Sequence, residues 1–184
     1  MKTAKKLIPV AVTAAVAAFS SGALASGFQL VEQNASGLGN AYSGQAAAAE
    51  NASTIFWNPA GMTRLPGRQV ALAINAIRPQ SEFNDNGLSR SPTGGALSAT
   101  NTNGGDAGDW AFVPNGYLSW QINPSWWVGI GVTVPFGLKT EYDTTFIGRF
   151  QSQRAEVKTI DINPSVAWKL SDAVSLGEIG RAHV

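Results

Sequence analysis

The chain has 184 residues, with 13 Lys and Arg against 12 Asp and Glu, one His and no Cys. That balance leaves no basic footprint for nucleic acid. One imidazole and no thiol leave no zinc cluster, no thiolate chemistry and no Ser-His-Asp set outside the tail that holds His183. The reading is therefore a non-enzyme, with no cofactor and no metal.

In chain order, Lys2, Lys5 and Lys6 precede an apolar stretch from Leu7 to Phe19 and the small residues Ala23-Leu24-Ala25. This pattern reads as a secretory signal over residues 1–25, cut after Ala25. The signal removes three of the 13 basic residues, leaving 10 against 12 acidic ones. No apolar run of about 18 residues follows, so no spanning helix is expected. An exported membrane protein without helices must close a β-barrel, because only closure satisfies every backbone group in hydrocarbon.

Residues 26–67 are rich in Gly, Ala, Asn and Ser. The run Ser36 to Gly44 is too glycine-dense for a good helix or strand. Gln45 to Glu50 has the composition for a turn or two of helix. Asn58-Pro59-Ala60-Gly61 reads as a rigid turn. The block is expected to be compact and irregular.

Period-two alternation then begins. Val70, Leu72 and Ile74 alternate with Gln69, Ala71, Ala73 and Asn75. Leu118, Trp120 and Ile122 alternate with Tyr117, Ser119 and Gln121. Val128, Ile130 and Val132 alternate with Trp127, Gly129, Gly131 and Thr133. Ile160, Ile162, Val166 and Trp168 alternate with Asp161, Asn163 and Ser165. Each reads as a strand with one apolar and one small or polar face.

The connections at 123–125 and 171–173 are short, and those at 81–109 and 136–156 are long. Short turns on one side and long loops on the other suit an outer-membrane barrel. Trp110, Phe112, Trp126, Trp127 and Trp168 lie near strand ends, where aromatic girdles sit. A soluble β-sandwich gives the same alternation; export, the polar second face and the loop asymmetry favour the barrel. Residues 68–177 hold four strands and the start of a fifth, short of the eight or so that a barrel needs. The chain thus reads as part of a longer product. Residues 178–184 (Glu-Ile-Gly-Arg-Ala-His-Val) break the pattern and look like translated sequencing-adapter DNA, so they are expected to be non-native.

Ser26-Gly27-Phe28-Gln29-Leu30, Ser36-Gly37-Leu38-Gly39 with Ala41-Tyr42-Ser43-Gly44, Asn58-Pro59-Ala60, Val113-Pro114-Asn115 and Phe136-Gly137-Leu138 with Thr140-Glu141-Tyr142 carry a resemblance. In this order they resemble the long-chain fatty-acid transporter family of outer-membrane proteins, which includes relatives that take up aromatic hydrocarbons. The resemblance implies an all-β, transmembrane antiparallel barrel of about 14 strands, within the range of bacterial barrels. It implies an N-terminal hatch, here residues 26–67, folded inside. It also implies passive uptake of hydrophobic ligands, with sideways exit through a gap at a kinked third strand. That strand would run from about Trp126 to Leu138, with the kink at Val134, Pro135 and Gly137.

Proline donates no ladder hydrogen bond, so Pro135 weakens pairing or simply ends the strand. Phe28 and Leu30 are candidate ligand contacts; burying a Phe contributes about 1.5–3 kcal/mol. Phe56, beside Trp57, is a third, packing in the lumen or on ligand. Asn58, Pro59 and Ala60 form the hatch motif, and the Asn58 amide is expected to tie the hatch to the wall. Arg149, Arg154 and Lys158 lie near the second long loop and carry no assignment. The expected surroundings are outer-membrane lipid and lipopolysaccharide, the expected partners long-chain fatty acids or other apolar molecules, and the expected state a monomer. The alternatives are a structural or adhesive barrel without cargo and, far behind, a membrane-embedded enzyme. Fatty acids and aromatic hydrocarbons are not separated by these residues.

Overall fold

The structure, a computed structural model, describes residues 29–87, 89–90, 94–95 and 102–183. The expected signal segment, residues 1–25, and Phe28 lie outside the described residues. Residues 29–67 form an irregular layer holding 3-10 turns at Leu38–Asn40 and Pro59–Arg64 and a one-turn helix α1, Thr54–Trp57. The strands follow: β1 Arg68–Ile77, β2 Ala111–Asn123, β3 Trp126–Thr133, β4 Lys139–Glu141, β5 Arg154–Glu156, β6 Asp161–Lys169, β7 Ser175–Ile179 and β8 Ala182–His183.

The main sheet runs β1-β2-β3-β6-β7, with β8 also on β6, and every pairing is antiparallel. β4 and β5 form a separate hairpin. No described helix is long and apolar enough to cross a membrane.

The alternation fixes which face goes where, and it runs opposite to a soluble protein. Leu72 is 80% exposed and Ile74 72%, and Leu118, Val128, Ile130, Val132 and Ile162 are also exposed. Ser119, Thr133, Asp161 and Asn163 are at most 1% exposed. A sheet in water would hide its aliphatic face. This one hides its polar face beneath residues 29–67 and presents the aliphatic face outward, as a barrel wall does in lipid. Strands of 10 and 13 residues (β1 and β2), at about 3.3 Å per residue, are long enough to cross a bilayer at a tilt.

Both short turns lie at one end. Ser125 N–H donates to Asn123 Oδ1 (2.8 Å), closing the β2–β3 turn. Ser171 Oγ accepts from Ala173 and Val174 N–H in the β6–β7 turn. Trp126 and Trp168 are a cross-strand pair at this end, stacked with ring centroids 5.5 Å apart. The Arg68 guanidinium lies 4.2 Å from the Trp120 ring, on its register partner. Trp127, expected in the girdle, turns inward: it is 3% exposed and its Nε1–H donates to Leu65 O (2.8 Å). Of two adjacent Trp on a strand, only one can face lipid.

At the other end the long loops pack on each other. The Tyr142 and Phe146 rings stack at 4.1 Å, and Phe83 meets Phe146 edge-on at 5.4 Å. Asp106 Oδ1 accepts from Ser81 and Gly108 N–H (2.9 and 3.0 Å). Those two backbone donors hold its carboxyl below the usual carboxylate range.

Three local expectations change. Over residues 45–50 there is only a turn ending near Ala48, with Ala47 and Ala48 N–H both on Gly44 O, and the helix comes later at Thr54–Trp57. The 136–156 loop contains the β4–β5 hairpin. The third strand leaves the main ladder at Thr133 rather than running on to Leu138.

Candidate functional site

The layer on the polar face is built in two halves. In the second half, Ile55 and Met62 are fully buried with Ala52, Tyr117, Trp127 and Ala167 in one cluster. Gly129 of β3 makes this docking possible. A Cβ there would fall 2.6 Å from Ile55 Cδ1 and 2.7 Å from Met62 Sδ. Only glycine lets the two side chains reach the backbone. Thr63 Oγ1 donates to Ala60 O and meets Ser175 Oγ, each at 2.9 Å.

Asn58 organises this half from within. Its Nδ2 donates to Ala46 O (2.9 Å) and its Oδ1 accepts from Ala60 N–H (3.2 Å). Its own N–H donates to Thr54 O, while its carbonyl accepts from Gly61 N–H and Thr54 Oγ1. Pro59 is the first residue of the following 3-10 turn, where its missing donor costs nothing. The expected tie from the Asn58 amide to the wall is not what these bonds make. Trp127, through Leu65 O, and Ser175 on Thr63 take that part.

The first half is held by its backbone. Asn75 Nδ2 and Asn115 Nδ2 both donate to Glu32 O, at 2.6 and 2.9 Å. Tyr117 Oη donates to Gln33 O (2.8 Å). Asn34 then locks the next turn: its Nδ2 donates to Gln45 Oε1 and Ser53 Oγ, and its Oδ1 accepts from Gly37 N–H. Ala41 and Tyr42 follow at φ 52° and 61°, a left-handed pair. Tyr42 Oη reaches back to Asn34 O (3.0 Å).

Beyond the first half lies the interruption in the wall. The β3–β6 register ends at Thr133↔Asp161 and resumes at Lys139↔Glu156, six steps on one strand against five on the other. One extra residue therefore sits on the proline-bearing strand, as in a bulge. Val134 and Pro135 are buried there. Pro135 has no N–H, and its carbonyl accepts from Leu30 N–H (2.8 Å), a residue of the inner layer and not of the sheet. Pairing is regained at Phe136 and Thr159, whose backbone and hydroxyl exchange bonds, and at Leu138 with Val157 N–H (3.0 Å). Gly137 does not adopt a positive φ, and a Cβ there would meet only Val134 Cγ1 at 3.3 Å. The bend is therefore set by Pro135 and the extra residue more than by Gly137.

Residues 16–182 match the family described as outer membrane protein transport protein (OMPP1/FadL/TodX). This chain belongs to that family. Outer membrane protein P1 of Haemophilus influenzae is 35% identical over 171 residues, covering 86% of this chain and 36% of that protein. The long-chain fatty acid transport protein of Escherichia coli K12 is 34% identical over 167 residues, covering 91% and 35%. A crystal structure of a FadL homologue from Pseudomonas aeruginosa superposes with a TM-score of 0.75 at 27% identity, over 83% of this chain and 36% of that one. The chain thus spans about a third of the length of these relatives. Family membership places it in the outer membrane, and the family is described as one of transport proteins.

Within this OMPP1/FadL/TodX chain, the fold brings Leu30 and Pro135 together. Phe56 lies elsewhere, half-buried against the Ile55–Met62 cluster and edge-on to Trp57 at 5.1 Å. Arg154 is committed to Glu156, and Arg149 donates to Phe146 O and lies over the Phe150 ring at 4.4 Å. Asn75, Asn115 and Tyr117 are functional candidates that sequence reading passed over. Their signal was a place on the polar face and, for Asn115, its position in the Val113-Pro114-Asn115 segment.

Proposed function

We propose that this chain forms part of an outer-membrane channel that takes up hydrophobic compounds, most simply long-chain fatty acids, by passive diffusion. Residues 26–67 act as the hatch, and cargo leaves sideways at Val134, Pro135 and Gly137. The observation that carries this reading is the hydrogen bond from Leu30 to Pro135. It joins the N-terminal end to the place where the wall ladder is broken. A broken ladder is costly in lipid, so it is tolerable where it lines a cavity.

Phe28 and Leu30 line the ligand's path, with Phe56 deeper in the lumen. Transfer of cargo out of water supplies the binding, at about 0.8 kcal/mol per buried methylene. Lipid and lipopolysaccharide surround the aliphatic belt, and the barrel works as a monomer. The relatives named for long-chain fatty acid transport support the choice of cargo. Deleting residues 26–30 in the full-length gene product and measuring oleate binding tests the site. Weaker binding is expected; unchanged affinity would remove Phe28 and Leu30 from it.

A further inference from the structure

The two halves of the inner layer are fastened by different chemistry, and the first half has a definite point of attachment. Asn75 on β1 and Asn115 on β2 are diagonal neighbours, since Asn75 pairs with Val113 and Ala73 with Asn115. Their amides converge on one acceptor, Glu32 O, at 2.6 and 2.9 Å. Tyr117, two residues along β2, takes the next carbonyl, Gln33 O, at 2.8 Å. All three side chains are at most 7% exposed, and Gln33 is fully buried. Only the donor side of the Asn115 amide is used; its Oδ1 is buried without a partner. The patch is thus a set of donors aimed at backbone carbonyls. Upstream, Leu30 N–H reaches Pro135 O, while Gln33 Nε2 donates to Leu30 O and Gln33 N–H to Val31 O. Downstream, Asn34 is locked into the Gln45–Ser53 network.

We infer that Asn75, Asn115 and Tyr117 are gate-positioning residues that pin Glu32 and Gln33 to the wall and place the pivot of the N-terminal end at Glu32. The inference rests on the channel proposed above and takes its opening to be a movement of the N-terminal end of the hatch. Leu30 is two residues from the pin. The leash is about 7 Å at full extension, from about 3.3–3.6 Å per residue. That is enough to break the Leu30–Pro135 bond (2.8 Å) and clear the gap. The pin at Glu32 and the Asn34 network behind it keep that movement from reaching the packed half. Among the described residues the pin therefore confines opening to 29–31 and directs it at the ladder break.

The test is hydrogen exchange on the full-length gene product in detergent, with barrel folding checked by heat-modifiable migration. Peptides covering 29–36 and 54–65 are compared in the parent, in Tyr117→Phe and in the double variant Asn75→Asp with Asn115→Asp. Aspartate keeps the shape but replaces the donors with acceptors facing Glu32 O. Exchange over 29–36 is expected to rise at least about tenfold in the double variant and a few-fold in Tyr117→Phe, with 54–65 unchanged. No change over 29–36, or an equal rise in both peptides, would overturn the pin. Tyr117→Phe removes one hydroxyl and keeps the ring, so it decides the matter if the double variant does not fold. Oleate binding is measured on the same samples. A parent that binds no oleate would sink the transport reading and leave the exchange result to judge the pin by itself.

Discussion

The halves of the inner layer differ in what holds them. Residues 54–65 dock through Ile55 and Met62, both fully buried, into a space that only a glycine at 129 leaves open. Residues 29–33 dock through carbonyls, with no fully buried aliphatic side chain among them. Apolar packing is lost all at once when surfaces part, because the cavity left behind has no substitute atoms. A hydrogen bond to a carbonyl can be exchanged for one to water at small net cost. If the gate inferred above holds, the contrast separates an anchor from a movable part within one short stretch of chain.

The anchor should break with the largest effect. Ile55→Ala is expected to destabilise the folded barrel by about 2–5 kcal/mol, read from denaturant unfolding. Gly129→Val should also destabilise it, since a Cβ there alone would fall below 3 Å from Ile55 Cδ1 and Met62 Sδ, two fully buried side chains. A mild effect at either position would erase the distinction between the halves. A charge on the outer face is next: Ile130→Lys should cost about 2–4 kcal/mol if that position faces the bilayer interior. In the movable half, Leu30→Pro deletes the donor to Pro135 O and should cost only about 1 kcal/mol while raising the rate of oleate release. A loss as large as that of Ile55→Ala would make residues 29–33 part of the anchor.

The smallest effect belongs to the outer loops. Asp106 has its carboxyl lowered by the Ser81 and Gly108 N–H donors. Its contribution to loop order is therefore present above the ordinary carboxylate value and is lost as pH falls through the lowered one. Protease nicking of the 78–110 loop should increase on acidification below that point, and Asp106→Asn should flatten the pH dependence. Nicking that is independent of pH would separate loop order from this carboxylate.

The wall was legible because period two is a strong constraint: Val70, Leu72, Ile74, Val128, Ile130 and Val132 can share a face only in a strand. Pro135 was legible as a place where pairing fails, since its chemistry is carried by the residue itself. The family segments, in order, pointed to the Asn58-Pro59-Ala60 turn. What stayed hidden was bonding to the backbone. The acceptors at Glu32 and Gln33 are carbonyls, which every residue has, so nothing in those side chains announced them. The inward turn of Trp127 was missed for a different reason. Neighbouring tryptophans at a strand end look like a girdle until register decides which one faces out. The β4–β5 hairpin, at three residues per strand, is too short to show a period.

The claim on which the rest depends is that the sheet is turned inside out, with its aliphatic face in lipid. The most direct measurement places the full-length gene product in vesicles of brominated lipid, with Trp→Phe substitutions leaving either Trp126 or Trp127. Bromine quenches an indole it touches. Strong quenching of Trp126 and almost none of Trp127 is the expected result. Quenching of Trp127 with Trp126 spared, or no quenching of either, would contradict the account.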